Sequence, residues 1–182
     1  MRFTPCTTTS QLTLNKKECE ELIIKYDNAV KKAGLSDKGE KNASIRKTQA
    51  LGLKIQDEEE IYNKCIQTAN LVNLETWGYE LSSSDQIQFL KYNIGGHYNW
   101  HLDIGSGDHM YRKLSFVLPL SDPESYEGGE LVLKPSFQEK SIPLEQGKII
   151  VFPSFILHKV TPVTSGTRYM LVGWLRGKIP FQ

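Results

Sequence analysis

From Asp85 onward, short β-type runs follow one another with little between them except turn residues. The runs are 86-QIQFLKY-92, 97-HYNWHLD-103, 112-RKLSFVLPL-120, 130-ELVLK-134, 148-KIIVF-152, 156-ILHKV-160 and 168-RYMLVGWL-175. Each is rich in β-branched or aromatic residues. Between them lie segments such as SDPESYEGG and TSGT, where Gly, Pro, Asp and Ser favour chain reversal. Strands of this length with no intervening helix predict a β-sandwich or a jelly roll.

Ahead of the strands the period is helical. Asn15 followed by Glu18 reads as a capping box, and Cys19, Leu22, Ile23, Tyr26 and Val30 form one apolar stripe closed by Gly34. A helix over 15–34 is the expectation. The polar stretch 35–47 reads as a long surface loop or as a flap over a binding site. Residues 48–55 suit a short strand. A second helix is expected from Asp57, whose side chain can cap it, through Ile61, Cys65, Ile66 and Ala69 towards Trp77. The whole chain, 1–182, then reads as one domain that is mainly β. A helical part over 1–84 covers one outer sheet face, and a β core follows over 85–182.

Composition excludes several function classes. No apolar run approaches the length of a bilayer span, and the first residues lack the apolar core of a secretory signal. Three scattered cysteines, Cys6, Cys19 and Cys65, suit reduced thiols in a cytoplasmic setting. A net charge of +1 argues against a broad phosphate-binding surface, and 35–47 holds four basic residues against two acidic ones, too weak a bias to imply nucleic acid.

Chemistry concentrates in 99-NWHLDIGSGD-108. On a strand, His101 and Asp103 project to the same side. His158, in an apolar strand-like run, is either a core histidine or a third ligand. Two imidazoles and a carboxylate make the facial triad of non-haem iron(II), although zinc accepts the same donors. Arg168 begins the last strong strand, and alternation puts it on one side with Met170, Val172 and Trp174. Unless it faces solvent, its guanidinium requires a carboxylate partner, because burying an unpaired charge costs several kcal/mol, on the order of the energies that unfold a domain. Bidentate pairing would suit a dicarboxylate ligand. His97 and His109 flank the motif, the latter in a loop expected to be exposed, and Gly128 and Gly129 read as turn residues.

The segments 92-YNIGGHYNWHLDIG-105, 112-RKLSFVLPLSDPESYEGGELVL-133 and 148-KIIVFPSFILHKVTPVTSGTRYMLVGWLRG-177 resemble the 2-oxoglutarate/iron(II)-dependent dioxygenases. The resemblance is to the branch of the prolyl 4-hydroxylase α-subunit catalytic domain and the PKHD-type hydroxylases. It implies a double-stranded β-helix (jelly-roll, cupin-like) core with His101, Asp103 and His158 as Fe(II) ligands. It also implies that Arg168 holds the C5 carboxylate of 2-oxoglutarate, with Tyr92 or Tyr98 beside it unless these are packed strand aromatics. Arginine rather than lysine at this place favours the PKHD-like group. The implied cofactors are Fe(II), 2-oxoglutarate and O2, with ascorbate as reductant. The implied reaction is hydroxylation of an unactivated C–H bond, peptidyl proline being the first substrate class and another peptide, protein or small molecule the alternative. Trp174, Trp100 and Tyr98 are candidate substrate contacts, and loops 35–47 and 104–111 are expected to frame the entrance. The same core also hosts nucleic-acid demethylases, and a non-catalytic metal-binding jelly roll is a third reading.

Overall fold

Strand formation follows the period-two pattern. All seven runs singled out above contain a strand, its ends within a few residues of the expected ones. The computed structural model describes residues 7–8, 12–32 and 42–181. In chain order its elements are β1 (Thr7–Thr8), α1 (Lys16–Tyr26), β2 (Lys31–Lys32), β3 (Arg46–Lys47), β4 (Gln49–Gly52), α2 (Glu59–Thr76) and β5 (Ser83–Ser84). Next come β6 (Gln88–Tyr92), β7 (His97–His101), β8 (Arg112–Pro119), β9 (Tyr126–Gly128) and β10 (Leu131–Lys134). The last are β11 (Lys140–Ile142), β12 (Ile150–Pro153), β13 (Leu157–Val160), β14 (Val163–Gly166) and β15 (Arg168–Arg176).

Among the described residues the larger sheet runs β1-β12-β8-β15-β6-β4-β2, with β5 paired to β15. The smaller sheet runs β11-β10-β13-β7-β3, and β9 pairs with β14 in a separate ribbon. Neighbouring strands are antiparallel, and the two sheets face each other as a jelly-roll core. Alternation along the central strands explains their continuous hydrophobicity. In β8, Leu114, Phe116 and Leu118 face the helices, whereas Val117 faces the smaller sheet. In β15, Leu171 and Leu175 pack towards the helices and Met170 towards the smaller sheet. A strand buried on both faces reads as one apolar run.

The helices depart from expectation at their ends. Asn15 and Glu18 form the capping box, but α1 stops at Tyr26 rather than reaching Gly34. Tertiary contacts end it. The Asp27 carboxylate accepts a hydrogen bond from the Tyr169 hydroxyl at 2.5 Å and pairs with Lys91 at 2.5 Å, which turns the chain towards the sheet, where β2 pairs with β4. Asp57 does not cap α2; it lies in a preceding 3-10 turn, and Glu58 takes the N-cap position without a side-chain bond. Residue 84 marks no boundary in the sheets either, because β2 and β4 extend the larger sheet and β3 the smaller. Loop residues 35–41 and Cys6 lie outside the described residues; 42–47 ends in β3. No helix among the described residues is long and apolar enough to cross a membrane.

Cys19 and Cys65 are fully buried free thiols, and burial pushes both up to about 12. They sit in the apolar layer between helices and sheet. Tyr62 of α2 ties that layer to the sheet. Its buried hydroxyl donates to the Leu53 carbonyl at 2.7 Å and accepts from the Ile87 N–H at 2.9 Å. Tyr62→Phe strands both backbone groups, so we expect it to lower stability by about 1–3 kcal/mol per group. Urea denaturation should show a lower midpoint at an unchanged slope; an unchanged midpoint would remove the tyrosine from this role.

Candidate metal centre

The smaller sheet brings the two histidines together. In the β7–β13 ladder His101 stands opposite His158, and Tyr98 stands opposite Val160. Three residues of β7 therefore span two of β13, so one residue is bulged. The bulge rotates Tyr98 onto the same face as His101. Their rings stack with centroids 3.5 Å apart and planes 13° apart. Trp100 is turned outward, where Lys159 and Lys134 lie 4.3 and 5.8 Å from its ring, and it does not line the cavity described below.

Asp103 lies just past the end of β7, held by its N–H donating to the Ser154 carbonyl at 3.1 Å. Its carboxylate is 3.8 Å from His101 Nε2 and 3.5 Å from His158 Nε2, and one donor atom from each residue falls within 4.8 Å of the others. In both histidines Nδ1–H donates to the carbonyl two residues earlier, His101 to Asn99 at 2.8 Å and His158 to Ile156 at 2.9 Å. That fixes the tautomer and leaves each Nε2 lone pair directed inward. Ser115 donates to Asp103 Oδ2 at 2.6 Å, and Ser154 meets Ser115 at 3.0 Å. The Trp174 indole N–H is buried and near enough to help hold Asp103 ionised, but it lacks hydrogen-bond geometry. Burial alone would raise the Asp103 carboxyl, yet the two imidazoles and Ser115 together hold it below its ordinary value. Burial first, then the proximity of His158, lowers His101 to about 4. His101 is thus neutral at pH 7 and able to ligate. A carboxylate with no cationic side chain within 4 Å among the described residues, facing two imidazole lone pairs, suits a divalent cation and fits the Fe(II) facial triad.

The three residues open into a cavity of about 320 Å³ that runs along β15. Arg168, Met170, Val172 and Trp174, alternate residues of that strand, all line it, as do Tyr92 and Tyr98. Arg168 is 1% exposed and its Nε has no partner; among the described residues it makes no hydrogen bond or ion pair. The Tyr92 ring lies 5.0 Å from the guanidinium, across the β6–β15 ladder. Gly129 does more than turn the chain. At φ +61° it approaches so closely that a Cβ there would sit 2.7 Å from Arg168 Cδ. A buried guanidinium left in this condition awaits an anion.

Sequence reasoning did not single out Ser115, Ser154, Arg112, Arg46 or the packing role of Gly129. Ser115 alone carried a signal, as the polar residue inside the apolar run of β8. Arg112 donates to the Asp103 carbonyl at 3.1 Å and to Asp85 at 2.7 Å, and lies 4.0 Å over Trp174. His109, expected to be exposed, is half-buried and lines the cavity.

The model of the 2OG-Fe(II) oxygenase superfamily matches residues 87–176, the stretch from β6 to β15 that carries His101, Asp103, His158 and Arg168. The chain belongs to that superfamily. A PKHD-type hydroxylase of Hyphomonas neptunium is 47% identical over 89 residues, covering 47% of this chain and 40% of that protein. Another, from Synechococcus elongatus, is 34% identical over 142 residues, covering 76% and 61% respectively. The alignment thus spans less than half the length of the first relative. Among solved structures, a Pseudomonas putida prolyl-4-hydroxylase superposes with a TM-score of 0.76 at 21% identity, covering 96% of this chain and 93% of that one. A Trichoplax adhaerens prolyl hydroxylase in complex with a hypoxia inducible factor peptide gives 0.79 at 16%, covering 96% and 84%. These likenesses establish the jelly-roll fold.

Removing the Ser115 hydroxyl should loosen Asp103. We expect Ser115→Ala to weaken divalent-metal binding about 10- to 100-fold, the usual effect of losing a partner that orients a ligand. Competitive titration with Co(II) would reveal it; equal affinities would assign the serine to packing alone.

Proposed function

We propose that this member of the superfamily is an Fe(II)- and 2-oxoglutarate-dependent oxygenase that hydroxylates a C–H bond of a peptide or amino-acid-like substrate. The observation that carries the reading is Arg168, a buried guanidinium without a hydrogen-bond or ion-pair partner among the described residues, in the same cavity as two imidazoles and a carboxylate. His101 Nε2, His158 Nε2 and Asp103 would hold Fe(II), and Arg168 would take the C5 carboxylate of 2-oxoglutarate, with Tyr92 against its guanidinium. Bound iron supplies the oxygen-activating redox chemistry, with 2-oxoglutarate as the co-substrate oxidised to succinate and CO2.

The chain's own residues position and shield. The backbone carbonyls of Asn99 and Ile156 orient both imidazoles by accepting from Nδ1–H, so each Nε2 lone pair points into the site. Ser115 fixes the rotation of the Asp103 carboxylate. His101, Asp103 and His158 would hold the metal at one end of the cavity, and the rest of that cavity, lined by Arg168, would receive the co-substrate. Leu90, Val117, Leu131, Val160 and Met170 keep water from the cavity walls. A charge-assisted bond from Arg168 is strong there because little solvent competes. Trp174, which lies beside Asp103 under Arg112, and Tyr98, stacked on His101, are the aromatic surfaces a substrate would meet. By likeness to the PKHD-type and prolyl hydroxylase relatives, peptidyl proline is the first substrate class, and ascorbate is the reductant of choice for assays.

Asp103→Ala and His158→Ala should each abolish succinate release from 2-oxoglutarate in anaerobically iron-loaded protein; retained turnover would refute the ligand set. Arg168→Ala should raise the half-saturating 2-oxoglutarate concentration at least tenfold, on the order of one lost charge-assisted contact. An unchanged saturation curve would leave the guanidinium without this role.

A further inference from the structure

We propose that Ser121 is a positioning residue for Arg168. It fixes the backbone from which the guanidinium reaches into the cavity, and so sets how tightly the distal carboxylate of 2-oxoglutarate is held. The inference rests on the co-substrate reading above and concerns a residue that is not among the described groups lining the cavity.

Arg168 opens β15 at a place where the larger sheet is incomplete. On one side the ladder continues, because Arg168 stands opposite Tyr92 of β6. On the other, β8 ends at Pro119, opposite Met170, and proline has no N–H to offer. No residue of β8 stands opposite Arg168 itself. The residue that anchors a ligand therefore sits at a strand end paired on one edge only, the kind of place where strands fray.

Ser121 closes that gap with its side chain. Its hydroxyl accepts from the Tyr169 N–H at 2.7 Å and donates to the Thr167 carbonyl at 3.4 Å. These two groups belong to the two peptide planes that meet at the Arg168 Cα. With both planes tied to one oxygen, φ and ψ of Arg168 are held together. The backbone N–H groups of Leu120 and Ser121 add bonds to the Tyr169 carbonyl at 3.0 and 3.3 Å. Ser121 is 4% exposed, so water does not replace its hydroxyl in this role.

Further out, the arginine stem is already confined, by Gly129 against Cδ and by the Tyr92 ring beside the guanidinium. What remains to be set is the direction in which the side chain starts. An arginine carries its guanidinium roughly 6 Å from Cα, so a turn of about 10° at the root moves the fork by about 1 Å. That is enough to spoil a two-bond pairing with a carboxylate, whose hydrogen bonds weaken with distance and angle.

The test uses the full chain loaded with Mn(II) and compares two 2-oxo acids by titration calorimetry. 2-Oxoglutarate carries the distal carboxylate and 2-oxobutyrate lacks it, so the ratio of their dissociation constants reports on the distal anchor. In the unaltered chain 2-oxoglutarate should bind about tenfold tighter or better, on the order of one charge-assisted contact. Ser121→Ala should cut that ratio by about fivefold or more and leave 2-oxobutyrate binding unchanged. Ser121→Thr, which keeps the hydroxyl, should restore the ratio. In an Arg168→Ala background, Ser121→Ala should alter the ratio no further. Tyr62→Phe, which loosens the fold elsewhere, should leave it alone.

A second measurement needs no variant to fold. On the unaltered chain 2-oxoglutarate should slow hydrogen exchange at the Tyr169 amide, and 2-oxobutyrate should not. A ratio untouched by Ser121→Ala, an equal loss of affinity for both acids, or exchange at Tyr169 that fails to distinguish them would each overturn the proposal. The first two outcomes would leave Ser121 a support of the fold and nothing more. Failure of the co-substrate reading looks different, because the unaltered chain would then show no preference for the dicarboxylate, and the proposal would fall with it.

Discussion

The site depends on how one strand pairs with its neighbour. β7 and β13 bring His101 opposite His158, and a single extra residue in β7 decides which other side chains join them. In a regular ladder, side chains three apart face opposite ways, so Tyr98 would point away from His101. With the bulge it stacks on it, in the place that alternation would give Asn99, while Trp100 keeps the outward side next to His101. The same pairing holds the two imidazole rings 4.1 Å apart, close enough that His158 disfavours a proton on His101. Backbone hydrogen bonding thereby sets ligand position, tautomer and the aromatic floor of the cavity together.

Charge is the second organising theme. The protein buries Arg168 and Asp103 without giving either an opposite charge from its own described side chains, apart from imidazoles beside Asp103. Isolated buried charge is destabilising, and it persists where a ligand completes it. Gly129 and Tyr92 leave Arg168 a close-fitting slot, and Ser115 and Ser154 steady Asp103 without neutralising it. Stability is given up at these points, where the groups suited to a metal and to an anion stand.

Helix ends show where local rules yield. The capping box of Asn15 and Glu18 is a short-range device and forms as the sequence indicates. The end of α1 is set by Asp27 meeting Lys91 and Tyr169, residues far along the chain, and no local signal at Gly34 competes with that. Short strands such as β2, β3, β9 and β14 were likewise illegible, because two to four residues cannot display a period and owe their conformation to a partner strand. Among the site residues, His101 and Asp103 stood out as a pair two apart on one strand face, and His158 and Arg168 as polar groups in apolar runs. Arg46 and Arg112 did not, since an arginine near a strand end is ordinary until the fold turns it inward.

The linear sequence by itself determined the strand-rich core, the helical cover and the identity of the groups able to bind a metal and an anion. Those follow from periodicity and from the cost of burying charge, both properties of short segments. Tertiary structure alone decided the bulge that brings Tyr98 onto the face of His101, the seryl support of Asp103 and the slot cut by Gly129. Each arises where segments distant in the chain come within a few ångströms, and register and close packing between such segments are fixed only when the sheets assemble.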